Sequence, residues 1–176
     1  MITSTSSSQV KHVVNLQKKA KLRKEEKQFV VEGVKMVSEA PADRLVKVYV
    51  SETFKADNEE FLERMNYDSI GKDVLEIVTD NVFMRMADTQ TPQGIMAVVR
   101  MSDTDLEGIL SDKRNPLLLI IENLQDPGNL GTIVRMAEGA GVTGIIMSSN
   151  TVDIYNPMHL LFKLLNSLHF ILHLFT

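Results

Sequence analysis

Leu117 to Ile121 is a run of five aliphatic residues, preceded by Pro116 and followed by Glu122 and Asn123. The run is too short for a helix and has no polar alternation, so it predicts a strand buried on both faces of a parallel sheet. A parallel neighbour requires a crossover, and the next residues supply one. Glu122 to Gly131 is rich in turn formers, Thr132 to Ala140 has helical periodicity, and Gly144 to Met147 is a second strand. Strand, turn, helix and strand in that order call for a right-handed parallel crossover. Within the turn, Asp126, Pro127 and Gly128 have the residue types of a tight bend, and Asn129 suits the N-cap of the helix. Leu130, Ile133, Val134, Ala137 and Gly141 form the expected buried stripe.

The chain upstream reads differently. Apolar residues recur at three- and four-residue spacings from Gln9 to Lys24, predicting one amphipathic helix with lysines on its polar face. Strands are expected at Phe29–Val31, Leu45–Val50, Val74–Val78 and Ile95–Val99. Helices are expected at Val34–Glu39, at Asn58–Asn66 with Asn58 as cap, and from Asp80, as cap, through Ala87. Alternating strands and helices over residues 29–100 describe a small α/β sandwich. Residues 101–116 are polar and punctuated, predicting an interdomain connection with a short helix near Leu106–Leu110. The reading is therefore a first domain over 1–100, a linker over 101–116, a second domain from 117 to 157, and an atypical apolar tail over 158–176.

Charge sharpens this division. The 176 residues carry a net −4, yet residues 1–35 hold eight Lys/Arg against three Glu, leaving −9 for the remainder. Lys11, Lys18, Lys19, Lys21, Arg23 and Lys24 crowd the first helix, the distribution that contact with a phosphate backbone by one element requires. A solvated helix face is the other reading. The absence of cysteine excludes disulfides and thiolate metal sites. No apolar run follows Met1, so no secretory signal is predicted and a cytoplasmic location is expected.

Arg135 lies off the buried stripe, four residues after Gly131. Helical side chains lean toward the N-terminus, so its guanidinium is expected to reach back over the bend at Gly128 and Asn129, beside the free amides of the helix start. That makes an anion site at the carboxyl end of a parallel strand, where open α/β sheets bind ligands. The other reading pairs Arg135 with Asp126 or Glu138 merely to hold the turn.

The run from Ile121 to Gly141, IENLQDPGNLGTIVRMAEGAG, resembles the first signature motif of the SpoU (TrmH-like) RNA 2′-O-ribose methyltransferases of the knotted SPOUT class. Phe29–Gly33 and Asp88–Gly94 resemble that family's N-terminal substrate-binding domain, and the likeness covers residues 8 to about 157. The resemblance implies an L30e/L7Ae-like α/β domain that docks RNA, followed by an incomplete parallel-sheet SPOUT domain. It also implies methyl transfer from S-adenosylmethionine to a ribose hydroxyl of rRNA or tRNA, a homodimer, and catalytic roles for Asn129 and Arg135. DNA is not an expected partner. A guanidinium is an awkward general base, so positioning and electrostatics suit Arg135 better than proton abstraction.

Residues 158–176, MHLLFKLLNSLHFILHLFT, hold twelve Leu, Ile, Phe or Met and no acid. The second and third family motifs, which hold the cofactor, are absent from this stretch. The tail therefore reads as a truncated or frame-shifted end, which implies impaired cofactor binding and catalysis; a non-catalytic RNA-binding fragment is the alternative. An exposed apolar helix that packs on the half-built sheet or promotes aggregation is expected there. Lys163, Asn166 and three histidines argue against a membrane span, and His169 with His173 lacks the further ligands a metal needs. Asp103, Asp105 and Glu107 read as a charged connector, not as metal ligands. The Gly139–Gly144 match to a dinucleotide fingerprint follows a helix and precedes a strand, the reverse of the required context.

Overall fold

The computed structural model describes residues 1–65, 74–101, 107, 110, 115–156 and 171–174. It divides into two units, Met1–Met101 with Tyr155–Met158, and Ser102–Ile154 with His159–Thr176.

In the first unit the basic segment forms two helices where one was expected: α1 (Ser8–Lys18) and α2 (Ala20–Glu26), separated by extended backbone at Lys19. The break is held by Arg23, whose Nη1 donates to the carbonyls of Leu16 (2.5 Å) and Gln17 (2.7 Å) in the last turn of α1. Those carbonyls have no partner inside a helix that stops at Lys18. His12 meets Glu26 at 2.6 Å and ties the two helices together.

Strand β1 (Gln28–Glu32) ends at Gly33, whose φ of 98° turns the chain into the short helix α3 (Val34–Ser38). Strand β2 (Leu45–Ser51) runs into α4 (Glu52–Asp57), a helix the periodicity did not show; Ser51 caps it by accepting the Phe54 N–H at 3.1 Å. Helix α5 (Glu59–Arg64) follows. Asn58 precedes it but does not cap it with its side chain, which donates instead to the Phe54 carbonyl of α4. Strand β3 (Leu75–Val78) leads to α6 (Asp80–Met86), capped in position by Thr79 and not by Asp80. The carboxylate of Asp80 is drawn away by Thr53, whose hydroxyl (2.7 Å) and amide (3.2 Å) both donate to it. These bonds hold the Asp80 carboxyl below the usual carboxylate range, the Thr53 hydroxyl contributing most.

Strand β4 (Ile95–Arg100) completes a sheet of order β1-β4-β2-β3. It pairs antiparallel to β1 and β2, while β2 and β3 are parallel. Thus β1, β2 and β3 share one direction and finish along the rim where β4 begins. The core on the α1 and α6 face joins Val10, Val13 and Leu16 to Val82, Phe83 and Met86 across Tyr49, Met96 and Val98. Burial pushes the Tyr49 phenol up to about 12, with Glu76 adding to the effect, so it stays neutral while donating to Gln9. Tyr155, placed in the second domain by sequence, belongs with this unit, where its ring centroid lies 4.9 Å from that of Phe29.

In the second unit β5 (Leu118–Ile121) and β6 (Gly144–Ser148) are parallel, linked by α7 (Pro127–Gly139). The strand at β5 and its parallel pairing agree with expectation, but burial on both faces does not. Along β5 only Ile121 is buried, while Leu118 and Leu119 are half-buried and Ile120 is 71% exposed, because β5 is an edge strand among the described residues and the face of Leu118 and Ile120 is left partly open. The composition of the tail predicts an apolar helix, yet Ile171–Leu174 is strand β7, parallel to β6. The unpaired backbone along β6 offers a ready template for such a segment. The remainder of the tail, including His169, and Asp103 and Asp105 lie outside the described residues. So does the short helix expected near Leu106–Leu110, apart from Glu107 and Leu110. Among the described residues no helix is long and apolar enough to cross a membrane, and no group of three metal-ligating side chains occurs.

Candidate functional site

The bend after β5 is part of the helix itself. Asp126 is the N-cap, with its Oδ1 accepting the Asn129 N–H at 2.6 Å and its carbonyl the Leu130 N–H at 3.1 Å. Pro127 occupies the first helical position, where its fixed φ suits the helix and its missing N–H costs nothing. Asn129, expected as the cap, therefore sits inside the first turn, exposed, with its side chain in no hydrogen bond among the described residues. The capping carboxylate also takes up one of the amides expected to be free for an external anion, that of Asn129.

At the other end, Gly141 is exposed at φ 73° and does not belong to the buried stripe, which comprises Leu130, Gly131, Val134 and Ala137. Gly141 N–H donates to Glu138 and Val142 N–H to Ala137, both at 3.0 Å, a paired C-terminal cap that needs a left-handed residue at this point. Asn123, at φ 53°, makes the exit from β5 with its N–H on Ser148 Oγ at 3.0 Å.

Arg135 is exposed, and its Nη2 donates to Thr132 Oγ1 at 3.3 Å. The Thr132 hydroxyl in turn donates to the Gly128 carbonyl at 3.0 Å. The guanidinium thus leans one turn toward the helix start, by way of Thr132 and not across Gly131. Among the described residues it forms no ion pair with Asp126 or Glu138, so a purely turn-holding role has no contact to support it. The site comes down to an exposed carboxamide in the first turn of α7 and, six residues further along the helix, an exposed cation inclined back toward it.

The basic patch survives in part. Lys11, Lys18, Lys19, Lys21 and Lys24 are exposed, Lys21 sharing a loose 3.7 Å pair with Glu25. Arg23 was expected among them and is 2% exposed, its charge spent on the carbonyls of α1. Arg23→Ala is therefore expected to lower unfolding free energy by about 2–3 kcal/mol, since two inward-facing carbonyls lose a charged donor. Urea denaturation checks this, and an unchanged midpoint would refute the structural role. The signal in sequence was the arginine itself, standing among lysines where its longer planar head can cap two carbonyls at once.

The loop 88–94 is pinned to the end of β1. Glu32 accepts from the Asp88 N–H (3.1 Å) and from the Thr89 hydroxyl, and Gln93 Oε1 accepts the Val34 N–H at 2.8 Å. No periodicity or spacing points to this arrangement, which joins segments more than fifty residues apart.

An α/β unit with a pinned rim loop, followed by a parallel βαβ unit whose crossover helix carries an exposed arginine, defines a two-unit α/β protein. Residues 7–97 match the MRM3-like substrate binding domain and residues 116–168 match the SpoU rRNA Methylase family. The chain belongs to the SpoU family of RNA methyltransferases. The SpoU match runs past Pro157, where the resemblance was expected to stop. Human mitochondrial rRNA methyltransferase 3 is 31% identical over 154 residues, covering 82% of this chain and 34% of that protein. An uncharacterized tRNA/rRNA methyltransferase of Synechocystis is 33% identical over 165 residues, 89% of this chain and 55% of its own. The chain spans about a third of the length of the mitochondrial relatives it matches, 34% for the human one. In fold it is similar to an rRNA methyltransferase from Sinorhizobium meliloti, with a TM-score of 0.79 at 22% identity over 99% of this chain and 65% of that one. It is likewise similar to the SpoU methyltransferase AviRb from Streptomyces viridochromogenes, with a TM-score of 0.72 at 21% identity over 95% of this chain and 62% of that one.

Proposed function

We propose that this chain binds rRNA or tRNA and belongs to an enzyme that methylates a ribose 2′-hydroxyl, with Arg135 and Asn129 at the reacting nucleotide. The observation that carries the reading is Arg135, exposed, inclined toward the helix start and paired with no acid among the described residues. A ribose hydroxyl is a poor nucleophile flanked by phosphates. A guanidinium fork gripping the neighbouring phosphate would orient the hydroxyl and offset the charge that develops on its oxygen. The Asn129 carboxamide, two helical turns at most from that fork, can donate to the same nucleotide. Several relatives are named as 2′-O-methyltransferases acting on 23S rRNA, which supports this substrate class.

S-adenosylmethionine supplies the methyl group when bound, and a neighbour of this fold is solved with it. Among the described residues of the second unit no buried polar side-chain atom is left waiting for such a ligand, so no residue is assigned to the donor here. The homodimer implied by the family resemblance is part of the same reading; the exposed Ile120 beside half-buried Leu118 on one face of β5 supports a covering partner.

The decisive experiment incubates the purified chain with S-adenosylmethionine labelled in its methyl group and with rRNA, then looks for alkali-resistant dinucleotides. Labelled ribose supports the proposal. RNA binding without transfer leaves a non-catalytic RNA-binding chain, and no RNA binding rejects both. Alanine at Lys18, Lys19, Lys21 and Lys24 is expected to weaken RNA binding and to flatten its dependence on salt, by a slope of about 0.7 to 0.9 per lost phosphate contact. A salt slope equal to that of the unaltered chain would remove the helix pair from the interface.

A further inference from the structure

The rim where β1, β2 and β3 finish and β4 begins carries two concavities of about 270 and 330 Å³, which share Gln93. The smaller is a built site. Its wall is the 88–94 loop, fastened by Glu32 to Asp88 and Thr89 and by Gln93 to the amide of Val34. Gly33 is needed there twice over. Its φ of 98° favours glycine, and a Cβ would lie 2.9 Å from Gln93 Oε1 and push that side chain off the Val34 amide.

Fixing Oε1 as the acceptor leaves both protons of Gln93 Nε2 to donate. Among the described residues they have no partner, and neither do the Thr91 hydroxyl and the Lys35 ammonium, which line the same hollow with the thioether of Met36. The charges of Glu32 and Lys35 cancel, so a bare phosphate has little reason to settle here. A hollow of this size is at the small end for ligand sites and admits one nucleoside, not a stacked duplex. Oriented uncharged donors beside an apolar side chain, with one cation at the margin, are what a nucleobase with polar edges, an apolar face and an attached phosphate requires.

We propose that this rim pocket takes one unpaired nucleotide of the RNA, its base edge on Gln93 Nε2 and Thr91 and its phosphate beside Lys35. The proposal rests on the RNA reading above and adds a second point of contact, separate from Arg135. It assigns the first unit a preference for RNA with a splayed base over continuous duplex.

The test uses the whole chain and two fluorescent RNAs of equal length, a hairpin with an unpaired loop and a blunt duplex, followed by anisotropy at one salt concentration. Gln93→Glu retains an oxygen for the Val34 amide and replaces the two donor protons by a second acceptor. Thr91→Val removes the hydroxyl without adding charge. The hairpin is expected to bind more tightly than the duplex, and each variant to lose about tenfold on the hairpin while the duplex shifts by less than about twofold. Equal losses on both RNAs, or none, overturn the pocket. Thiouridine placed in the loop should crosslink to the 88–94 segment; a crosslink found only elsewhere overturns it as well. If the unaltered chain binds neither RNA, the RNA reading fails along with the pocket, whereas binding that ignores Gln93 and Thr91 defeats the pocket alone.

Discussion

Arg135→Ala is expected to reduce the proposed ribose methylation by about 100-fold or more while leaving the fold intact. Removing a single preorganised donor from a site where negative charge develops costs roughly 10²–10³ in rate. Stability should change by less than about 0.5 kcal/mol, because the side chain is exposed and makes one 3.3 Å hydrogen bond, to Thr132. Arg135→Lys keeps the charge but not the two-pronged geometry and should recover only part of the rate. Single-turnover transfer to rRNA gives the first readout and thermal unfolding the second. An unchanged rate in the alanine variant would remove Arg135 from the reaction, and a collapsed fold would show that it holds the helix instead.

Gly94→Ala should have the largest effect on stability, a loss of about 2–4 kcal/mol. Two costs combine at this position. The backbone has φ of 85°, and an added Cβ would lie 2.7 Å from Phe54 Cβ and 3.0 Å from Ser51 Oγ. Phe54 is 6% exposed and its amide is held by Ser51, so neither neighbour can retreat without opening the start of α4. For a unit of about a hundred residues such a loss lowers the melting temperature by roughly 10 °C or more. Gly139→Ala is the control: no atom lies within 4 Å of its added Cβ, and the change should be neutral or gain up to about 1 kcal/mol. Equal melting temperatures for the two variants would contradict the packing described at Gly94.

Local pattern sufficed for the strands, where runs of β-branched and aliphatic residues decide the state. The four strands of the first sheet and the parallel pairing of Leu118–Ile121 with Gly144–Ser148 lie where β-branched runs and turn residues put them. Errors gathered where a partner distant in sequence, or a competing acceptor, took a polar group. Arg23 looked like part of a basic face until the carbonyls of α1 claimed it. Asp80 looked like a cap until Thr53 claimed its carboxylate. Asn129 looked like a cap until Asp126 took that position. In each case the residue type was suitable; for Arg23 and Asp80 the partner sits on another element, whereas for Asn129 the competing cap lies three residues upstream, where Pro127 at the first helical position marks Asp126 as the cap.

By itself the sequence determined the class of the fold, the family, and the identity of the exposed cation after the Asp-Pro-Gly-Asn turn, because periodicity, turn chemistry and helical lean are local properties of consecutive residues. Only the tertiary structure decided which charges remain available to a ligand, which face of β5 stays open, and that Glu32, Gly33 and Gln93 meet at one rim. Those outcomes depend on long-range pairing, with β1 and β4 brought side by side across more than sixty residues of chain.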